Sequence, residues 1–220
     1  MKKALLFTVS FIFIASLVQA QINKGTVLLG GNLSASTYKY NTASSSGSTD
    51  FNTHQNGFFF YPSLGFATNQ NKVWGFMLGY NYSKSKSSSA PGEQKSNGYG
   101  AGVYHRRYLP LGKSFYLFGQ TGIYYYHSYQ KTDNDNTYNE TKSSGLSVSV
   151  YPGIAYAVNK RIHLEVGINE LASLGFSHTS YKNGVNNGSY TTQKSNGFGL
   201  STNLSSSNPL MVGFRFVLGK

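Results

Sequence analysis

Leu146-Ser147-Val148-Ser149-Val150-Tyr151-Pro152-Gly153-Ile154-Ala155-Tyr156-Ala157-Val158 repeats with a period of two. Leu146, Val148, Val150, Pro152, Ile154, Tyr156 and Val158 fall on one face, and Ser147, Ser149, Tyr151, Gly153, Ala155 and Ala157 on the other. Successive side chains of a strand point to opposite sides, so the stretch predicts a strand with one apolar face and one small or polar face. The same alternation runs through 58–66 (Phe58, Phe60, Pro62, Leu64, Phe66), 74–82 (Trp74, Phe76, Leu78, Tyr80, Tyr82), 162–168 (Ile162, Leu164, Val166, Ile168) and 210–218 (Leu210, Val212, Phe214, Phe216, Leu218). Less regular strands fit 26–40, 95–109 and 114–129. No helical period persists beyond Gly25, and eight strands are expected in all.

The connections alternate in length. Polar stretches at 41–55, 83–96, 130–143 and 178–195 separate tight turns near Thr68–Lys72, Pro110–Lys113 and Asn159-Lys160. Lys95-Ser96-Asn97-Gly98-Tyr99-Gly100 returns as Lys194-Ser195-Asn196-Gly197-Phe198-Gly199, and Asn56-Gly57 and Ser144-Gly145 stand at the matching points of the other hairpins. Each strand returning from a long stretch therefore starts on a turn-prone pair ending in glycine. Long and short connections in strict alternation are the rhythm of an up-and-down antiparallel barrel with its extended loops at one end. Pro62 and Pro152 cannot donate to a ladder, so bulges or ladder ends are expected at both.

Composition decides which face meets what. Charged residues are 12% of the chain, about half the usual soluble share. Aromatics reach 15%, with 18 Tyr and 15 Phe against a single Trp. The polar strand face is built of Gly, Ser, Ala and Asn, which suits a narrow interior and would make a poor water-exposed exterior. The apolar face is therefore expected to point at lipid, with Tyr38, Tyr40, Tyr80, Tyr82, Tyr124–Tyr126 and Tyr156 in interfacial girdles. Outside the first twenty residues no apolar run approaches the length of a membrane-spanning helix.

Those twenty residues read as a secretory signal: Lys2 and Lys3, the apolar run Ala4–Val18, then Val18-Gln19-Ala20 before an expected cut at Gln21. The domain division expected is a signal peptide over 1–20 and a barrel over 21–220. The chain has no cysteine, hence no disulfide framework.

Pro62-Ser63-Leu64-Gly65-Phe66 before a short turn, Tyr104–Leu111 before the next, and Gly213-Phe214-Arg215-Phe216 near the end resemble, in that order, the OmpA/OmpX-like small outer-membrane β-barrels. The resemblance covers essentially all of 21–220. It implies an all-β fold, an eight-stranded antiparallel up-and-down transmembrane barrel, in the bacterial outer membrane.

Glu165 and Arg215 share the lumen phase of neighbouring strands at similar heights, so a buried pair that fills the lumen is expected. His163 lies on that face. Arg106 or Arg107 reaches across from strand four, and Arg107 is assigned to the cluster with Glu165, Arg215 and His163. A narrow gated channel is the functional alternative for these residues. Some barrels of this kind deacylate lipid A with a His-x-Ser motif, and His178-Thr179-Ser180 has that spacing. The chemistry requires a carboxylate behind the histidine, and no Asp or Glu follows Glu170. No catalytic residue is assigned, and a lipid-modifying enzyme stays the alternative.

Asp133, Asp135 and Glu140 share a loop but lack the glycine and spacing of a calcium loop, so no metal or cofactor is expected. The formal charge of +12 resides mainly in loops and turns: Lys84, Lys86, Lys95, Lys131, Lys142, Lys182 and Lys194 at the long-loop end, and Lys72, Lys113, Lys160 and Arg161 at the other. No basic–aromatic groove suggests nucleic acid. Lysines beside a membrane meet lipid phosphates, so lipid and lipopolysaccharide are the expected partners, with an extracellular or surface partner at the loops. A monomer acting without catalysis in envelope integrity, surface contact or adhesion is the function expected.

Overall fold

The computed structural model describes residues 21–42, 51–87, 92–133, 137–168, 170–185, 188–202 and 210–219. The expected signal peptide and the centres of the long connections, Asp135 included, lie outside the described residues. Ten β-segments form: β1 Val27–Thr42, β2 Phe51–Asn69, β3 Lys72–Ser87, β4 Glu93–Pro110, β5 Phe115–Asp133, β6 Thr137–Ala157, β7 Ile162–Ile168, β8 Ala172–Val185, β9 Tyr190–Ser201 and β10 Leu210–Leu218. All their pairings are antiparallel, and the ring β1-β2-β3-β4-β5-β6-β7-β10 closes through β10 on β1, with Leu29 opposite Phe216. The fold is a closed eight-stranded barrel. β8 prolongs β7, and β9 precedes β10, so the seventh and eighth strands are each built of two pieces.

The break in strand seven has a cause on its neighbour. β6 pairs with β7 from Gly153 to Ala157 and with β8 from Thr137 to Val150, so Tyr151 and Pro152 are left without a partner on strand seven. A proline has no N–H to give the ladder, and the longer strand takes up the mismatch in a bulge at Glu170, whose φ is 49°. Pro62 interrupts its ladder without a bulge: the β2–β3 pairing passes from Phe60–Tyr80 to Ser63–Met77, leaving Tyr61 and Pro62 unpaired on that side.

The expected loops turn out shorter than their polar stretches. β6 runs 21 residues and β5 19, whereas a tilted strand crosses a bilayer in about 9–11. The ladders continue to Lys86–Glu93, Asp133–Tyr138 and Gly184–Tyr190, well inside the stretches expected as loops. In water both faces of a hairpin can be polar, so pairing outlives the apolar alternation that signals it. Thr37 and Asn56, at 2.8 Å, and Ser143 and Thr179, at 3.0 Å, are cross-strand side-chain bonds of this polar region.

The barrel wall is inside out relative to a soluble one. Trp74, Phe76, Leu78, Ile123, Leu146 and Phe176 stand exposed on the exterior, while Arg106, Glu165 and Arg215 are buried within. At the short-turn end Leu28, Val73, Tyr104, Tyr108 and Phe118 pack the lumen, and Ile22 enters from the segment before β1. Asn71, in the left-handed region at the β2–β3 turn, ties this plug down. Its side-chain carbonyl accepts the Ile22 N–H at 3.0 Å, and its own N–H donates to Ile22 at 2.9 Å.

Candidate functional site

The lumen carries two polar levels. The deeper one centres on Glu165 of β7. Arg106 of β4 donates from Nη1 to Glu165 Oε1 at 2.6 Å, and Arg215 of β10 donates from Nε to the same oxygen at 2.9 Å. Tyr108 donates its hydroxyl to that oxygen at 3.3 Å, and Arg215 Nη2 reaches Oε2 at 3.4 Å. The guanidiniums are satisfied further: Arg106 Nε donates to Gln120 at 2.8 Å, and Arg215 Nη1 to the Tyr104 hydroxyl at 3.3 Å. Arg106 also lies over the Phe118 ring, 4.2 Å from its centroid. A buried carboxylate with two guanidiniums and a full set of bonds closes the lumen like a packed core layer.

Arg215 sits opposite His163 in the ladder, and Gly213 opposite Glu165, so the ion pair is diagonal. Long side chains span that offset readily. His163 is buried beside the cluster and stacks on Tyr116 at 5.3 Å, with its Nδ1 lacking a partner among the described residues. The assignment of Arg107 to the cluster is corrected to Arg106. The β3–β4 and β4–β5 registers turn Arg106 and Tyr108 inward, leaving Arg107 on the exposed exterior. Around this position the sequence reads His105-Arg106-Arg107-Tyr108, without an apolar–polar alternation to set the phase.

The upper level contains a residue the sequence did not single out. Glu170 occupies the bulge of strand seven with φ of 49°, and it points into the lumen. Ser149 and Tyr151 donate hydroxyls to its Oε1, each at 3.1 Å. A cavity of about 620 Å³ opens there, lined by Glu170, Tyr61, Asn81, Tyr124, Tyr126 and Ser147, so Tyr124 and Tyr126 face the lumen and only Tyr125 of that run faces outward as expected of a girdle. Gly79 and Gly100 make room for its tyrosines: a Cβ on Gly79 would lie 2.6 Å from the Tyr61 ring, and one on Gly100 2.5 Å from the ring of Tyr124. The ladder interruption expected at Pro152 falls opposite this bulge.

At the hairpin end Lys84, Lys86 and Lys95 converge on Glu93 at 2.8, 2.9 and 2.8 Å. Hydrogen bonds from Lys84, Lys95 and Lys86 hold the Glu93 carboxyl down at about 2. Glu140 pairs with Lys142 at 2.6 Å and accepts the Tyr138 hydroxyl, and both contacts, that with Lys142 first, lower its pKa. Lys182 lies 3.9 Å over the Tyr190 ring. His178 is exposed, and its Nδ1 meets the neutral Asn196 side chain at 2.7 Å. Among the described residues no group of His, Asp or Glu is arranged to hold a metal ion.

Several solved structures are similar to this chain. Neisserial surface protein A shares 17% identity, with 90% of this chain and 99% of that one covered and a TM-score of 0.34. The translocator domain of the autotransporter NalP from Neisseria meningitidis shares 10%, with 98% and 94% covered and a TM-score of 0.38. The ferric yersiniabactin uptake receptor FyuA from Yersinia pestis shares 13%, over 71% of this chain and 26% of that one, with a TM-score of 0.35. No curated protein matches the chain. The family model described as the outer membrane protein beta-barrel domain matches residues 5–201, and with the inverted, closed barrel it establishes that the chain belongs to that family of bacterial outer-membrane proteins.

Proposed function

We propose that this barrel is a non-enzymatic envelope protein that works through its protruding hairpins, in surface contact or adhesion and in the integrity of the outer membrane, with lipopolysaccharide as its charge partner. The observation that carries the reading is a rim of extended hairpins bearing more lysine than acid. Glu93 is surrounded by three lysines, and Glu140 has Lys142 beside it. Positive charge in excess of acid near an anionic surface contributes about 1 kcal/mol per lysine. Lys182 over Tyr190, and Lys131 at 5.3 Å from the centre of the Tyr138 ring, add aromatic faces beside the charges, a combination suited to phosphorylated sugars.

One contact favours the non-enzymatic reading: His178 bonds to Asn196, and among the described residues no hydrogen bond joins it to Ser180, the contact through which a base activates a nucleophile. Replacing Lys84, Lys86 and Lys95 together by Gln should weaken binding to lipopolysaccharide at least tenfold, measured on vesicles containing it. Unchanged affinity in the triple variant would remove this rim from the interaction.

A further inference from the structure

We propose that the upper lumen is a binding site for an organic cation, a substituted ammonium group held by the Glu170 carboxylate and the rings of Tyr61, Tyr124 and Tyr126. The chain has four glutamates, Glu93, Glu140, Glu165 and Glu170. Three of them have cationic partners in the fold: three lysines at Glu93, Lys142 at Glu140, two arginines at Glu165. Glu170 alone has no ion pair among the described residues. Its bonds come from the neutral hydroxyls of Ser149 and Tyr151, both to one oxygen, leaving Oε2 for a ligand.

The surroundings specify the missing charge. The cavity of about 620 Å³ beside Glu170 has no Lys, Arg or His in its lining. The rest of its lining comes from β8 and β9, where Gly175, Gly197 and Gly199 alternate with Phe176, Phe198 and Leu200. Tyrosine rings attract a cation through their electron-rich faces, and an alkylated ammonium loses less hydration than a bare ion on entering such a site. A single carboxylate with hydroxyls is too poor in charge for a divalent metal, which takes several oxygen ligands. Carboxylate plus several aromatic rings is the chemistry that recognises substituted ammonium groups.

The backbone supports an assignment beyond lumen filling. Glu170 is held at a φ of 49°, a conformation costly for a non-glycine residue, by a bulge opposite Pro152. The deeper cluster already closes the lumen, so the upper carboxylate is not needed to seal it.

The test uses residues 21–220 refolded in alkyl maltoside micelles, which contain no ammonium group. Choline chloride is titrated while amide shifts are followed, beside its neutral isostere with carbon in place of nitrogen. Choline should produce saturable shifts at Ser149, Glu170 and Ser173, and the isostere should bind about tenfold more weakly or not at all. Glu170→Gln, which preserves shape, should cost about tenfold in choline affinity. Tyr124→Leu should weaken it too, with retention of the fast-migrating unboiled band certifying that this variant is folded. The proposal is overturned by the absence of a saturable shift with choline, by equal binding of the isostere, or by unchanged affinity in Glu170→Gln.

Discussion

Glu165 holds two guanidiniums away from water, and a buried charge that loses its partner is expensive. Glu165→Gln should therefore lower the unfolding free energy in lipid vesicles by about 3–5 kcal/mol, followed by urea titration of fluorescence. Arg215→Met should cost less, because it leaves Arg106 and Glu165 as a one-to-one pair. Arg107→Gln, on the exterior, should change stability by no more than about 0.5 kcal/mol. A large loss at Arg107 and none at Arg106 would mean that β4 is out of register by one residue.

At the scale of elements, the hairpins and the broken strand behave differently. Glu93 titrates at about 2 in the folded hairpin, below the ordinary carboxylate value. A depressed folded pKa means that the ion pairs support the β3–β4 hairpin fully above the unfolded pKa. That support fades as pH falls from about 4.5 toward 2. Carbon-detected titration of the Glu93 carboxyl should give the low midpoint, and about 1 M salt should move it up, because screening then acts over about 3 Å. A midpoint at the ordinary value in dilute buffer would show the three lysines to be uncoupled from it. Strand seven offers the second element-level test. Amides from Glu170 to Ala172, at the bulge facing Pro152, should exchange faster with solvent deuterium than those of Leu164 to Val166, which pair on both sides. The prolines in the sequence foretold interrupted ladders at 62 and 152. The hairpin extensions were not legible there, because polar residues on both faces erase the period of two while the backbone pairing continues.

For the whole molecule the decisive property is inversion. The single tryptophan, Trp74, stands 54% exposed on the outer wall. Its fluorescence should be quenched by lipids brominated along the acyl chain, and an unquenched signal would put the apolar face elsewhere. An unboiled sample should migrate ahead of a boiled one, as a closed barrel that resists detergent does. Planar-bilayer recordings should show no discrete conductance, since Arg106, Tyr108, Glu165 and Arg215 fill the cross-section of a barrel whose interior side chains already suffice to occupy it.

Alternation and composition were enough to read the class of fold, the count of strands around the ring and the lipid-facing side. These depend on local alternation and on composition, and both survive without knowledge of any neighbour. The assembled barrel settled three further points. It chose Arg106 over Arg107, because two adjacent arginines in an irregular strand carry no phase until β3 and β5 impose one. It offset Arg215 from Glu165, because the closing register of β10 on β1 and β7 sets which residues stand opposite. It turned Glu170 into the lumen, because that depends on four residues of one strand meeting two of another. Such a mismatch belongs to the pair of strands and is written in neither one alone.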